Sequence, residues 1–290
     1  MNSNQQAPKF YETQSFKRKS KKLLVVVLLL LGSIVILSPV WWMISTSLKT
    51  PAEIMQYPPS LLPESFQWGN YIKAWQTAPF TRWALNTLFI TICVVIGNVF
   101  VNSFVAYGFA KIRFKGRNIL FTLVLATMLI PGFVMMIPQY MLFSKLHWIN
   151  TYLPLIVPAF FGNAFFIFLL RQFFKTIPDE MIDAAKIDGA HHLQIWWKLA
   201  MPLMKPAVIT VAILSFNGAW NDFLGPLLYI NDEKLYTLQI GLQTFKGTVQ
   251  TQWHYLMSAS VLVLLPVILL FFFFQRYFIE GSNITEGSKG

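Results

Sequence analysis

The sequence predicts an all-α integral membrane protein with six transmembrane helices, on three observations. Hydrophobic residues make up 55% of the 290-residue chain and charged residues only 12%, whereas soluble domains carry roughly 25% charged residues. The apolar residues are grouped into six runs, each long enough to cross a bilayer core of roughly 30 Å as a helix of about 20 residues. The basic residues lie in short clusters between these runs, as they do in membrane loops.

The six predicted spans follow one another with connections of unequal length. The first span follows the basic string KRKSKK, which also precedes the apolar run of many secretory signals. Its apolar run is longer than the about 7 to 15 residues of such a signal, and no small-residue cleavage site follows it. We therefore expect this span to remain as an anchor. The predicted spans are 23–45, 83–109, 119–143, 153–174, 207–230 and 255–277.

Basic residues also predict the orientation of the spans, because short cytoplasmic loops carry an excess of Lys and Arg. If the N-terminus is inside, the inner segments hold 17 of these residues and the outer segments hold 6. We therefore expect both termini in the cytoplasm, together with the segment 175–206. The predicted organisation is an N-terminal tail (1–22), a six-helix membrane domain (23–277) and a C-terminal tail (278–290).

Several function classes are disfavoured by what the sequence lacks. The net charge of +11 is not gathered into a basic patch with interleaved aromatic residues, so nucleic acid is not an expected partner. The single cysteine, Cys93, lies in an apolar run and cannot build a disulfide framework or a thiolate metal cluster on its own. The phosphate-loop, lipase-type and zinc-protease motifs are all missing. The sequence therefore predicts neither an enzyme nor a metal site.

The string DAAKIDGA is a small acidic patch between two apolar spans. On a helix each residue advances by about 100°, so Asp183 and Asp188 point roughly 140° apart and do not form an acid–base pair on one face. The neighbouring imidazoles, His191 and His192, are adjacent and diverge in a similar way, which disfavours a metal site. The patch is therefore expected to have a role other than catalysis or metal binding.

The same patch is typical of two short helices separated by a break at Gly189, since glycine commonly ends helices. Ala184 and Ala185 are small enough for another surface to approach the backbone closely. A docking surface and a solvated connector are both open interpretations on spacing alone. The segment 175–206 is long for a connector, because links within helical bundles usually contain about two to eight residues.

The string EMIDAAKIDGAHHLQIWWKLAMPLMKPA resembles the EAA loop of permease subunits in binding-protein-dependent ABC importers. That loop has the pattern Glu-Ala-Ala, three residues, Gly, and then an ending in Ile/Leu-x-Leu-Pro. Asp183 stands where Glu is usual, and Leu199 to Pro202 approximate the ending. The residues that match the pattern or follow it closely are Ala184, Ala185, Asp188, Gly189 and Ala190.

Further strings are similar to the carbohydrate-uptake branch of this family, of the type of the smaller maltose-transporter permease. They are SLKTPAEI after span one, NTYLPLIVP at the start of span four, WNDFLGPLLYI in span five and QRYFIEGSNITEGSKG at the end. The resemblance covers roughly residues 23–290. The tail departs from the ending Gly-Ala-Val-Lys-Gly that is frequent in the family.

The resemblance implies an importer of the bacterial inner membrane that takes up a sugar, in particular an oligosaccharide or glycoside, and works by alternating access. In such a complex, residues 183–190 form a coupling helix and the turn after it, which dock on a cytoplasmic ATPase. Asp183 keeps the carboxylate of the usual Glu, but its reach is one methylene shorter. The implied partners are a second permease, two ATPase subunits that carry ATP and Mg²⁺, an extracytoplasmic binding protein, the sugar and the lipid bilayer. No cofactor is expected in this chain.

Polar side chains within spans usually face a bundle interior or a cavity, because they are costly in lipid. Amide, carboxylate and aromatic groups are also those that bind sugars. The substrate-pathway candidates are Asn163, Asn217, Trp220, Asn221 and Asp222. For these residues, and for the pair Asn98 and Asn102, hydrogen bonding between helices is the alternative.

The alternative function is a self-contained secondary transporter or channel. Such a protein needs ion-coupling carboxylates within its spans, and many members of the class contain inverted repeats. Asp222 is the serious intramembrane candidate, and no internal repeat is evident.

Overall fold

The computed structural model describes residues 10–247 and 251–283, with side chains described for residues 21–247 and 251–276. The described elements are helices, and no β-strand occurs among them. The α-helices are α1 Phe10–Ser47, α2 Pro51–Ile54, α3 Gly69–Gln76, α4 Phe80–Lys111, α5 Arg117–Ala126, α6 Gly132–Lys145, α7 Leu153–Ile156, α8 Ala164–Lys175, α9 Asp179–Ile187, α10 His192–Ile195, α11 Met201–Leu203, α12 Lys205–Trp220, α13 Leu224–Tyr229, α14 Leu238–Gly241 and α15 Trp253–Asn283.

Shorter turns complete the helical segments. A π-helical turn, Trp196–Ala200, joins α10 to α11. The 3-10 turns are Thr127–Leu129, Val157–Phe160, Glu233–Leu235 and Leu242–Phe245.

Four helical segments are long and apolar enough to cross a membrane: Lys21–Ser47, Phe80–Lys111, Leu153–Lys175 and Trp253–Arg276. Two bent pairs also qualify if each is taken as one span. They are Arg117–Leu129 with Gly132–Lys145, bent by 97°, and His192–Leu203 with Lys205–Trp220, bent by 85°. The chain is thus an all-α membrane protein with four to six candidate spans, which confirms the predicted fold class.

The third predicted span is not a straight helix. Its bend lies at Pro131. Proline disfavours a helical conformation in the residue before it, and that residue, Ile130, is extended (ψ 116°). The fifth predicted span also breaks, since α12 ends at Trp220 and α13 begins only at Leu224. The apolar runs predicted the location of these segments but not their bends.

Parts of both predicted tails are helical. Helix α1 begins at Phe10, within the predicted N-terminal tail, and α15 continues to Asn283. Residues 1–9 and 284–290 of the two predicted tails lie outside the described residues.

Helix α4 lies at the centre of the bundle and packs against α8 and α12, while α15 packs against α1, α3 and α12. A buried cluster at the C-terminal end of α4 includes Tyr107, and a second cluster at its N-terminal end includes Phe80 and Trp83. From Leu23 to Leu37 the apolar side chains of α1 are exposed in the isolated chain. A continuous exposed apolar face of this kind is suited to lipid or to another membrane subunit.

Candidate functional site

A cavity of about 320 Å³ lies inside the bundle, next to the N-terminal half of α4. Its walls come from α4, α7, α8, α12 and α13, so it is formed where the central helix meets the broken segments. The lining residues are Thr87, Ile90, Val94, Asn98, Leu155, Asn163, Phe166, Leu214, Ser215, Gly218, Ala219, Asp222, Pro226 and Thr237. The wall is mainly apolar with a few polar side chains, which is the usual composition of a small-molecule site.

Asp222 brings a carboxylate to this cavity. It lies in the break between α12 and α13, and its Oδ1 accepts a hydrogen bond from the Gly225 backbone N–H at 3.1 Å. A Cβ atom on Gly225 would lie within 3.0 Å of the Asp222 carboxylate. A side chain at position 225 would therefore displace the Asp222 carboxylate and the end of the Leu155 side chain.

Asn163 also lines the cavity, and it joins α8 to α4. Its Oδ1 accepts from the backbone N–H groups of Phe165 and Phe166, which caps the start of α8. Its own backbone N–H donates to Asn102 Oδ1 at 2.6 Å, and Asn102 Nδ2 donates to the Asn98 carbonyl at 2.6 Å. Asn98 and Asn102 therefore take part in polar contacts within and between helices, although Asn98 lines the cavity as well.

The other pathway candidates do not line this cavity. Asn217 and Asn221 are exposed, and Asn221 Nδ2 donates to Asn217 Oδ1 at 2.9 Å. Trp220 is 5% exposed, stacks on Phe216, and donates from Nε1 to the Val263 carbonyl at 3.0 Å. Its ring therefore fixes α12 against α15 and is not available as a surface for a ligand in the cavity.

Sequence reasoning missed three hydroxyl residues of the cavity. Thr87 Oγ1 donates to the Trp83 carbonyl at 2.8 Å and accepts from the Leu238 backbone N–H at 2.9 Å. The other two are Ser215 and Thr237. Both residues are 4% exposed, and their hydroxyl oxygens have no hydrogen-bond partner among the described residues. Serine is common within helices, and Thr237 lies outside every predicted span, so no motif identified them.

A second surface of interest is the loop 175–206. Of the candidate residues, Asp183, Ala184, Asp188 and Gly189 are exposed, whereas Ala185 and Ala190 are half-buried. Gly189 has φ +86°, a left-handed conformation that side chains disfavour, and it ends the helical segment as predicted.

The face of α9 that looks away from the bundle is apolar as well as acidic. Ile187 is 87% exposed and Met181 is also exposed, as is Leu193 on the neighbouring helix α10. Asp183 Oδ1 accepts from Lys186 Nζ at 2.9 Å, within the same helix. A groove of about 410 Å³ runs along residues of this loop from Ala185 to Leu199. Exposed apolar side chains beside small residues are typical of a protein-binding surface.

The inner face of the loop is anchored in the bundle. Ile182, Ile195 and Trp196 are 2%, 1% and 8% exposed and belong to the buried cluster around Tyr107. Tyr107 Oη lies 3.1 Å from His192 Nδ1, which adds a polar contact between α4 and the loop. The loop is therefore packed as part of the bundle and not as a free connector.

A lysine at the end of α4 holds the start of α9. Lys111 Nζ donates to the Ile177 carbonyl at 2.5 Å and to Asp179 Oδ1 at 2.6 Å, and the Lys111 side chain is 4% exposed. The hydrogen bond and the charge of Lys111 lower the pKa of the Asp179 carboxyl below its ordinary value. One helix, α4, thus contacts the loop at Lys111 and lines the cavity from Thr87 to Asn98.

At the opposite end of the bundle, the string SLKTPAEI forms a compact turn. Glu53 and Thr50 cap α2 reciprocally, and Glu53 Oε1 also accepts from the Glu64 backbone N–H at 2.6 Å. The hydrogen bond from the Thr50 backbone is the main cause that lowers the pKa of the Glu53 carboxyl, although burial opposes it. Lys49, which donates to the Ser60 carbonyl, is 2% exposed, and burial lowers its pKa.

Among the described residues, no group of three His, Cys, Asp or Glu side chains is placed to hold a metal ion. An α-helical membrane bundle that has an internal cavity, and in which one helix connects that cavity to an exposed short helix, is the architecture expected of a membrane transport subunit. Comparison with known proteins agrees. The chain belongs to the family described as binding-protein-dependent transport system inner membrane component, which matches residues 102–281.

Relatives with curated names include the arabinooligosaccharides transport system permease protein AraQ of Halalkalibacterium halodurans. This chain is similar to it at 35% identity, over 88% of this chain and 92% of the relative. The sn-glycerol-3-phosphate transport system permease protein UgpE of Pectobacterium atrosepticum is 31% identical, over 87% of this chain and 92% of the relative.

A solved structure with a similar fold belongs to a bacterial ABC transporter involved in the import of the acidic polysaccharide alginate. It matches with a TM-score of 0.80 and 26% identity, over 90% of this chain and 98% of that chain. The chain is therefore a multi-pass permease subunit of an inner-membrane transport complex, and the family supports this assignment and not a self-contained secondary transporter or channel.

Proposed function

We propose that this chain is a translocation subunit of an ATP-driven sugar importer that works by alternating access. The observation that carries the proposal is the physical connection from α9 through Lys111 and α4 to the cavity. Movement of α9 would be transmitted to the cavity wall because α4 is a continuous helix between the two. Relatives whose names include arabinooligosaccharide transport and alginate import support a sugar or glycoside as the substrate class.

The partners follow from this role. Residues Asp183, Ala184, Ala185, Asp188, Gly189 and Ala190 form the contact with a cytoplasmic ATPase, and ATP and Mg²⁺ are held by two such subunits. Both termini and α9 lie on the cytoplasmic side. A second permease completes the pathway, and the exposed pair Asn217 and Asn221 faces it or the shared passage. An extracytoplasmic binding protein delivers the sugar on the other side.

The coupling surface is tested with two matched glycine substitutions in the complete transporter. Gly189 and Gly116 have φ angles of +86° and +83°, and a Cβ atom at either position meets nothing within 4 Å. Gly189→Tyr and Gly116→Tyr therefore introduce similar backbone strain, but only the first adds bulk to the candidate ATPase contact. Co-purification with the ATPase subunits and ATP-dependent sugar uptake are the measurements.

We expect Gly189→Tyr to lose both ATPase association and uptake, while Gly116→Tyr retains them. Unchanged association and uptake in Gly189→Tyr would show that the coupling assignment is wrong. Sugar uptake that continues without ATP would instead support a secondary transporter.

A further inference from the structure

Several basic side chains lie where the C-terminal ends of α4 and α8 meet the N-terminal end of α5. The basic corner is defined as Lys111, Arg113, Arg117, Arg171 and Lys175. Each of the three helix ends is also the end of a candidate span, so the basic corner lies at one surface of the bilayer. We propose that it binds one anionic glycerophospholipid, with the phosphate at the start of α5 and the acyl chains along that helix. The inference goes beyond the proposed function, since it concerns a bound lipid and not the transported sugar.

The positive charge of the basic corner is only partly balanced. Asp179 lies 2.6 Å from Lys111 Nζ and 3.8 Å from the guanidinium group of Arg113. The other three cations form no ion pair with a described residue, and they lie close enough for their charges to repel one another. Three neighbouring cations without a carboxylate favour the binding of an anion.

The Arg171 side chain is buried without a counter-ion among the described residues. Arg171 is 7% exposed, its Nε donates to the Phe109 carbonyl at 3.2 Å, and its guanidinium carbon lies 3.9 Å from the centre of the Phe121 ring. Neither of its Nη atoms has an acceptor in the described part of the chain, and neither is among the unpaired polar atoms that are closed off from solvent. Buried charges are normally paired, so these two accessible groups indicate an anion that the described residues do not supply.

An open pocket of about 320 Å³ lies beside Arg117, at the turn between α4 and α5. Among the described residues, no side chain caps α5 at Gly116, and none accepts from the backbone N–H groups of Asn118 and Ile119 in the first turn. Free N–H groups at the start of a helix bind phosphate well, because the helix dipole adds positive potential there. The pocket thus offers guanidinium and backbone donors to one phosphate. Its lining residues are Arg113, Phe114, Gly116, Arg117, Asn118 and Ile119.

The surface that continues from the pocket along α5 is apolar. Ile119, Leu120 and Leu123 are 69%, 49% and 58% exposed, and their spacing of three and four residues places them on one side of the helix. A phospholipid has the same order of anionic group and apolar chains, and basic pockets between spans are known sites for anionic headgroups. An acidic side chain of another subunit would neutralise the cations but would leave the apolar side to be covered separately.

The experiment compares two photoactivatable lipids on the purified complete transporter in phosphatidylcholine nanodiscs. Both lipids carry the same diazirine-labelled acyl chains, but one has a phosphatidylglycerol headgroup and the other a phosphatidylcholine headgroup. Peptide mass spectrometry measures the yield of labelling within residues 117–129. Each measurement is repeated with an excess of inorganic phosphate, which distinguishes a lipid from a free anion.

Arg117→Gln and Lys175→Gln each remove one cation of the basic corner, and Lys175 is an exposed residue whose replacement disturbs no printed contact of the core. Lys205→Gln is the matched control, because Lys205 is an exposed lysine at the start of α12 and does not line the pocket. Labelling by phosphatidylcholine should be the same in all variants, which reports that α5 remains folded in the membrane.

We expect phosphatidylglycerol to label residues 117–129 at least about fivefold more than phosphatidylcholine does. Arg117→Gln and Lys175→Gln should each reduce phosphatidylglycerol labelling about fivefold, the usual effect of one basic residue near an anionic membrane surface. Lys205→Gln and inorganic phosphate should leave it unchanged.

Equal labelling by the two lipids would overturn the inference, as would phosphatidylglycerol labelling that is the same in all three variants. Competition by inorganic phosphate would assign the site to a free anion and would also contradict a lipid site. Absence of labelling by either lipid would show that another subunit covers the basic corner, and the inference would then be wrong.

Discussion

Lys111 and Asp179 are joined by an ion pair of 2.6 Å between Nζ and Oδ1, at the point where the central helix α4 meets the start of α9. Because Lys111 also donates to the Ile177 carbonyl, it contacts both the backbone and a side chain at the entry to α9. The cavity residue Asn98 lies thirteen positions earlier on α4, about 20 Å along the helix axis. A displacement of α9 therefore has a direct mechanical route to the cavity.

Replacement of Lys111 by Met should uncouple ATP hydrolysis from sugar uptake. Methionine is unbranched like lysine, but it cannot form either hydrogen bond to the start of α9. We expect uptake to fall by about tenfold, a factor that typical coupling free energies between two sites can produce. The ATPase rate of the assembled complex should be largely retained. The ratio of sugar molecules imported to ATP molecules hydrolysed in proteoliposomes is the measurement.

Lys115→Met is the matched control, since Lys115 is an exposed lysine on the same side of the bundle. It should leave the ratio unchanged. If Lys111→Met and Lys115→Met give the same ratio, the lysine has no part in coupling.

Close packing of Gly241 against Trp83 should make α14 intolerant of any larger residue. A Cβ atom on Gly241 would lie within 3.0 Å of the Trp83 ring, which is itself fully buried and donates to the Glu233 carbonyl at 2.9 Å. We expect Gly241→Ala to destabilise the protein by about 1–3 kcal/mol, the usual cost of overpacking. Thermal unfolding in detergent measures this change.

Gly108→Ala provides the comparison for Gly241→Ala. Gly108 lies within α4, and a Cβ atom there meets nothing within 4 Å. Alanine in a helix interior is favoured over glycine by roughly 0.5–1 kcal/mol, so this variant should unfold at the same or a higher temperature. Equal destabilisation of both variants would mean that the contact with Trp83 is not the cause.

The contrast between α4 and the fifth predicted span shows which parts of the fold the sequence could predict. Helix α4 is a long apolar run without proline, so hydropathy alone located it within three residues at either end. The segment 207–230 is also apolar, yet it breaks at Asn221 because Asp222 caps the next turn through Gly225. Such a break depends on local side-chain hydrogen bonds that hydropathy does not report.

The candidate site was predictable only in part for a similar reason. Asn163 and Asp222 were identified because polar residues in apolar runs are unusual, and both line the cavity. Ser215 and Thr237 become visible only when distant segments are packed together and their hydroxyls are found without partners. The six candidate residues around Gly189 remain a prediction as an ATPase contact.

The cap formed by Glu53 should make the turn 50–64 sensitive to acid. Hydrogen bonds from the Thr50 and Glu64 backbones favour the ionised carboxyl, and the pKa of Glu53 is therefore lowered below its ordinary value. A lowered pKa in the folded state contributes stability above the unfolded pKa, about 4.3, and this contribution is lost as pH falls through the folded value.

Glu53→Gln should remove that dependence. We expect the variant to be less stable than the unmodified protein at pH 7 by about 1 kcal/mol, and the difference to shrink as the pH falls below about 4. Unfolding temperatures at the two pH values measure the effect. Glu64→Gln is the control, because the Glu64 side chain is exposed and only its backbone contacts Glu53. A difference that stays constant with pH would contradict the assignment.

Replacement of Trp220 by Phe should separate packing from sugar recognition in the fifth span. Trp220 Nε1 donates to the Val263 carbonyl, so the variant loses one buried hydrogen bond between α12 and α15. We expect a loss of stability of about 1–2 kcal/mol, because the Val263 carbonyl loses its indole donor and the smaller ring fills less of the interface. The apparent KM for sugar uptake should stay unchanged, since the ring does not line the cavity. A raised KM in Trp220→Phe at full stability would instead place the indole in the substrate pathway.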